Sequence, residues 1–259
     1  MERKSPLNLN TEQFFLDIAG ITIFSLRYFR NIFRSRFEGR EFLNQCYKVG
    51  VQSLLLVAVT AIILGLVLTI QIRPIVAELG AESWMPSLVF ISVVTELGPV
   101  IFALIFAGKV GSGIGAELSS MRVTDQIDAM EVSATNPFNF LVVSRVTATT
   151  LMLPILVFFG DFLAFIGSFI GLKAYSNISL KLFYSRAFED FFFSDLMPAT
   201  IKTIFFGFFI GIISSYMGYY SGRGTEGVGK AANAAVVASS LVIFLIDLIA
   251  VQLADLILY

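Results

Sequence analysis

The sequence predicts an all-α integral membrane protein with five transmembrane helices, an N-terminal amphipathic interfacial helix and a short cytoplasmic helix. Two observations carry this. Mean hydropathy is +0.82, and only 14% of the 259 residues are charged, against about 25% in an ordinary soluble domain. Five apolar runs also reach the roughly 20 residues needed to cross a bilayer core of about 30 Å.

Residues 1–48 read as a cytoplasmic and interfacial N-terminal segment. Within it, residues 12–37 mix Phe24, Phe29 and Phe33 with Arg27, Arg30 and Arg34 at helical spacing. That pattern suits a helix in the headgroup layer, apolar side down and arginines on anionic phosphate. A sixth span would have to carry Asp17, Arg27 and Arg30 into the bilayer, at high cost. Residues 49–257 form the membrane domain, with spans over about 49–72, 83–115, 139–172, 200–222 and 231–256. The apolar run of the first holds no charge, that of the second Glu96, of the third Asp161, of the fourth none and of the fifth Asp247.

Orientation follows from basic residues near the span ends. Arg3, Lys4, Arg27, Arg30, Arg34, Arg36, Arg40 and Lys48 precede the first span, whereas only Arg73 follows it closely. The N-terminus is therefore expected in the cytoplasm and the C-terminus outside. Residues 117–145 and 221–230 then face the cytoplasm. The 173–202 connection, with Lys173, Lys181, Arg186 and Lys202, faces out and opposes the bias.

Composition excludes several functions. There is no histidine, which removes the commonest general base and metal ligand. No acids fall at metal-ligand spacing, and no nucleophile stands beside a base. The single Cys46 excludes an internal disulfide, and a net charge of −1 offers nothing to nucleic acid. The N-terminus lacks the apolar stretch of a cleavable signal peptide.

Four stretches remain. In RGTEGVGKA, Gly224, Gly229 and Lys230 fit a phosphate-binding loop, but Ala231 stands where Ser or Thr must hold magnesium, and no buried strand precedes it. This reads as a turn. In AGKVGSGIGAE and the residues before it, Ala103, Ala107, Gly111 and Gly115 recur every four residues, the stripe that lets membrane helices approach closely. Glu96 lies mid-span, three residues before Pro99, which disturbs the helix and frees a carbonyl. It either lines an internal cavity or is a protonated acid bonded to a neighbouring helix. Asp161 and Asp247 read as packing or hinge residues. Finally, ELSSMRVTDQIDAME predicts one capped helix with Thr124 as N-cap and Asn136-Pro137 as its stop. Glu117, Asp125, Asp128 and Glu131 share one face of it, and Val123, Ile127, Met130 and Ala134 another.

The run from ELGPV through AGKVGSGIGAELSSMRVTDQIDAME to the Asn136-Pro137 turn closely resembles the signature of MlaE-type permeases, membrane subunits of ABC transporters that serve MCE-domain lipid carriers. The late segment GTEGVGKAANAAVVASSLVIFLIDL looks like the family's last turn and span. The likeness covers about residues 40–257, with Asn136 in place of the family's usual Asp. It implies a homodimer, a cytoplasmic ABC ATPase dimer that binds ATP and Mg, an MCE hexamer on the outer face, and phospholipid cargo. It makes residues 117–131 a coupling helix that docks on the ATPase, with Glu117, Arg122, Asp125, Gln126, Asp128 and Glu131 as its contacts. It also makes Glu96, with Pro99, part of a lipid cavity. The implied setting is the inner membrane of a Gram-negative-type bacterium, and the chain itself needs no cofactor. A proton-coupled lipid transporter and a non-transporting anchor for an MCE complex are the competing readings.

Overall fold

In hydrocarbon every backbone polar group needs an internal partner, and a lone segment meets that demand only as a helix. In a computed structural model of the chain, the described residues are 11–34, 38–175, 178–189, 191, 193–222 and 224–258. Among them there are eight helices and no strand. These are α1 Thr11–Arg34, α2 Gly39–Glu78, α3 Glu82–Val123, α4 Gln126–Val132, α5 Phe138–Lys173, α6 Leu180–Ala187, α7 Phe193–Tyr219 and α8 Thr225–Leu258. Five of them, α2, α3, α5, α7 and α8, are long and apolar enough to cross a membrane.

The helices overrun the predicted spans. α2 begins at Gly39, ten residues before the apolar run, and α3 continues to Val123. The hydropathy window marks only what hydrocarbon tolerates, whereas the hydrogen-bond ladder continues into polar sequence, as where Gly50 N–H donates to Cys46 O at 2.8 Å.

α2 and α5 cross with their backbones nearly touching. A Cβ at Gly65 would run into the Ala164 carbonyl, and one at Gly167 into the Ile62 carbonyl. Beyond this crossing, Thr69 and Ser168 hydroxyls meet at 2.9 Å. α7 lies on α5 in the same manner, with Gly207 and Gly211 against Thr149. α3 fills the space between α7 and α8. Its residues Ala103, Ala107, Gly111 and Gly115 are all buried. A Cβ at Gly115 would sit 3.1 Å from Ala231 O, and one at Gly111 3.0 Å from Ser214 Oγ. This stripe packs within the chain, where small side chains let backbones close up.

At one end, α6 caps the bundle with rings. Phe183 lies 4.8 Å from Phe165, which lies 5.1 Å from Phe90. Ser179 Oγ accepts from Leu182 N–H at 3.3 Å and starts this short helix. At the other end, α1 is fastened by Phe24 and Tyr28, both buried. Phe24 packs edge-on to Phe138 at 4.9 Å, and Tyr28 Oη meets Thr147 Oγ1 at 3.0 Å. Its outward side is apolar, with Phe15, Ile23, Leu26 and Phe33 exposed. Of the three expected anchors, Arg27 lies 4.3 Å over the Phe138 ring and Arg30 is exposed. The Arg34 side chain, like Arg3, Lys4, Arg36 and Arg223, lies outside the described residues.

Candidate functional site

α3 is not a uniform helix. Two five-residue stretches, Val93–Leu97 and Ala107–Gly111, widen to i→i+5 hydrogen bonding. Such wide turns are uncommon and gather at functional positions. The first lies just before Pro99, whose missing N–H and bulky ring forbid the regular ladder there. It carries Glu96.

Glu96 belongs to a cluster drawn from three helices. Lys202 Nζ on α7 donates to Glu96 Oε2 at 2.7 Å and to Asp247 Oδ1 on α8 at 2.9 Å. The Lys202 side chain is 3% exposed, while Asp247 keeps 21% and Glu96 46%. The cluster thus has a buried cation and an open carboxylate edge. This corrects the sequence expectation in two ways. Lys202 belongs to a membrane helix rather than to the 173–202 connection, because α7 already runs from Phe193. Asp247 is an ion-pair member rather than a packing acid.

Asp161 on α5 stands apart from that cluster. It is 7% exposed and sits against Gly98, where a Cβ would run into its Oδ1. Among the described residues Oδ1 has no hydrogen-bond partner. Pro99, Pro154 and Thr203 line a small cleft beside it.

A second polar centre lies at the far end of α3. Arg145, 2% exposed, places NH2 3.1 Å from Glu117 Oε2, and NH1 donates to Leu141 O at 2.9 Å. Lys48 Nζ reaches the other Glu117 oxygen at 3.2 Å. These two cations together neutralise the Glu117 carboxylate from both sides.

The expected single helix over 117–131 is broken. α3 ends at Val123, and Asp125 takes the left-handed conformation with φ 55° before α4 begins. Asp tolerates this geometry better than most residues. Thr124 therefore closes α3, with Oγ1 donating to Ser120 O at 2.9 Å, and is not the N-cap of α4. The break also separates Glu117 from the acidic face: Asp125, Asp128 and Glu131 are exposed beyond the turn, whereas Glu117 faces Arg145 and Lys48. Arg122 clamps the turn by pairing with Asp128. Gln126 is exposed. Ile127 is fully buried and pins α4, whereas Val132 is 90% exposed. Asn136 Oδ1 accepts from Phe138 N–H at 3.1 Å and starts α5. In the 224–230 stretch, Lys230 pairs with Glu226 within the first turns of α8.

The family model described as Permease MlaE matches residues 42–253. The chain belongs to the MlaE permease family. Among its relatives are probable ABC transporter permease proteins. One from Rickettsia typhi is 36% identical and one from Synechocystis 35% identical, each over 82% or more of both chains. One from Pyropia yezoensis is 35% identical over 80% of this chain and 79% of its own. This MlaE permease is thus a multi-pass membrane subunit of an ABC transporter. It is not itself the catalytic chain, and permeases of this class work with a partner ATPase. Sequence reasoning missed the pairing roles of Lys202 and Arg145. Each is a cation inside or beside an apolar run, and that position was the available signal.

Proposed function

We propose that this MlaE permease moves phospholipid between the membrane and an MCE-domain carrier, driven by ATP hydrolysis in a separate cytoplasmic ABC ATPase dimer. The ATPase holds ATP and Mg. The permease works as a homodimer in the inner membrane of a Gram-negative-type bacterium, N-terminus cytoplasmic and C-terminus periplasmic. An MCE hexamer stands on the outer face.

The observation that carries this reading is the Glu96–Lys202–Asp247 cluster. Its lysine is buried, but nearly half of the Glu96 side chain is open on the outside of a single chain. A carboxylate cannot face acyl chains at this depth without a cost of several kcal/mol, so it faces water, cargo or protein. A second copy set against this side would enclose the cluster in a shared cavity that lipid enters. α4 supplies the link to the motor, since its exposed Asp128, Glu131 and Val132 form an acidic and apolar contact surface.

The test is the double substitution Asp128→Lys with Glu131→Lys, reconstituted with ATPase and MCE subunits in proteoliposomes. Phospholipid transfer and permease-stimulated ATP hydrolysis are both expected to fall to background, with the dimer still assembled. Transfer and stimulation at the unsubstituted level would remove α4 from the coupling route. Transfer that continues without ATP and stops when a proton gradient is collapsed would replace the reading with proton coupling.

A further inference from the structure

α3 has two unlike sides. Phe102, Ala103, Phe106 and Ala107 are at most 1% exposed and face the chain's own core. On the opposite side Val100, Ile101, Leu104 and Ile105 are only half-buried. This apolar strip has Glu96 at one end and exposed Lys109 at the other. Thirteen residues separate those two, about 20 Å along a helix. The apolar part matches one leaflet of a hydrocarbon core, about 15 Å.

Lys109, like Lys173 over the Phe169 ring, is an amine with no carboxylate partner among the described residues. Lys48, Lys202 and Lys230 each pair with a carboxylate. Among the described residues Lys109 has none: its Nζ donates to the Gln52 carbonyl in the tight 3-10 turn Val51–Ser53 within α2. An ammonium has three donors, so two remain. There is also room beside it. A Cβ at Gly108 or Gly113 would meet no atom within 4 Å. The wide turn Ala107–Gly111 presents the lysine at this point.

We propose that the open face of α3 is a binding track for one phospholipid, with Lys109 holding its phosphate and the strip toward Glu96 holding an acyl chain. This rests on the phospholipid reading above and gives that cargo a position. The charges at the two ends set its direction. The Glu96 end has two carboxylates for one lysine and repels phosphate, whereas the Lys109 end has a cation with no acid. Two N–H donors from an ammonium to phosphate oxygens form charge-assisted hydrogen bonds, the strong kind. Leu56, Val59 and Ile63 are also exposed and apolar on α2, the helix that carries Gln52.

The experiment measures retention of phosphatidylglycerol and of diacylglycerol, which lacks phosphate, by the purified permease–ATPase complex in nanodiscs. Native mass spectrometry supplies the readout. The unsubstituted complex is expected to retain phosphatidylglycerol over diacylglycerol. Lys109→Gln, which keeps a donor for the Gln52 carbonyl but loses the charge, lowers that preference about tenfold, and Lys109→Arg restores most of it. Equal retention of the two lipids by the unsubstituted complex overturns the assignment whatever the variants do. So does a Lys109→Gln complex with unchanged preference, since the lysine then only holds the turn at residues 51–53. Displacement of lipid by millimolar inorganic phosphate would mark a small-anion site and also overturn it. A Leu104→Cys variant in a Cys46→Ser background that cross-links to its copy without displacing lipid would assign the strip to protein contact. An unsubstituted complex that transfers no phospholipid with ATP defeats the function above instead. A Lys109→Gln complex that transfers normally defeats this inference alone.

Discussion

Arg145 on α5 holds Glu117 on α3 at 3.1 Å while only 2% of its own side chain is exposed. The same carboxylate meets Lys48, which is 43% exposed. The two pairs therefore differ in what their loss leaves behind. Glu117→Ala strands a buried guanidinium and is expected to cost about 3 kcal/mol. Lys48→Ala removes a solvated partner and costs less than about 1 kcal/mol. Thermal denaturation of both variants in detergent, side by side, checks the ratio, and equal losses would contradict it.

Lys202 obeys the same logic inside the membrane. Lys202→Met leaves Glu96 and Asp247 without their shared cation, and a loss of about 3 kcal/mol is expected. Adding Glu96→Gln and Asp247→Asn removes the stranded charges and recovers most of that stability, because a neutral replacement of all members of an ion cluster leaves no charge without a partner. Transfer activity is expected to stay low in the triple variant. Stability is read from detergent melting and activity from proteoliposomes, so the two effects separate.

The α2–α5 crossing has no space for a methyl group. Gly65→Ala pushes a Cβ into the Ala164 carbonyl and is expected to cost about 1–3 kcal/mol. Gly229→Ala, in open space near the start of α8, gains up to about 1 kcal/mol from helix propensity. Opposite signs in the two melting shifts are the expected result.

α4 ends at a residue in an unfavourable conformation. Ala134 has φ 58°, while Thr135 N–H bonds Met130 O at 3.0 Å around it. A left-handed alanine costs about 1 kcal/mol relative to glycine. Ala134→Gly is therefore expected to stabilise the turn by about that amount, visible as slower amide exchange at Thr135. Faster exchange would contradict it.

Much of the architecture was readable beforehand, for a physical reason. The cost of placing polar groups in hydrocarbon adds up over 20 residues, so five spans emerge from hydropathy. Glu96 was conspicuous for the same reason. Its partner was not, because Lys202 stands at the edge of an apolar run and lies 106 residues away in the chain. Pairing across helices has no local signature. The break at Asp125 escaped too. Glycine or proline would have announced it, whereas Asp adopts φ 55° with no trace in the periodicity. Once the helix breaks, residues counted onto a common face diverge, and Glu117 was lost to the acidic surface in that way.

The wide turn at Val93–Leu97 has one more consequence. A π-turn is an α-helix with one residue inserted. Deleting a single residue within it would force the regular ladder onto Pro99, whose ring and missing N–H obstruct it. The preceding segment, with Phe90 and its ring contacts, would keep nearly the same phase about the helix axis, because the extra residue is absorbed within the one wide turn. Phe90 would then stay near Phe165, now 5.1 Å away. The stretch is thus slack set by chain length rather than by side-chain identity. A substitution scan of it would be far milder than a deletion scan.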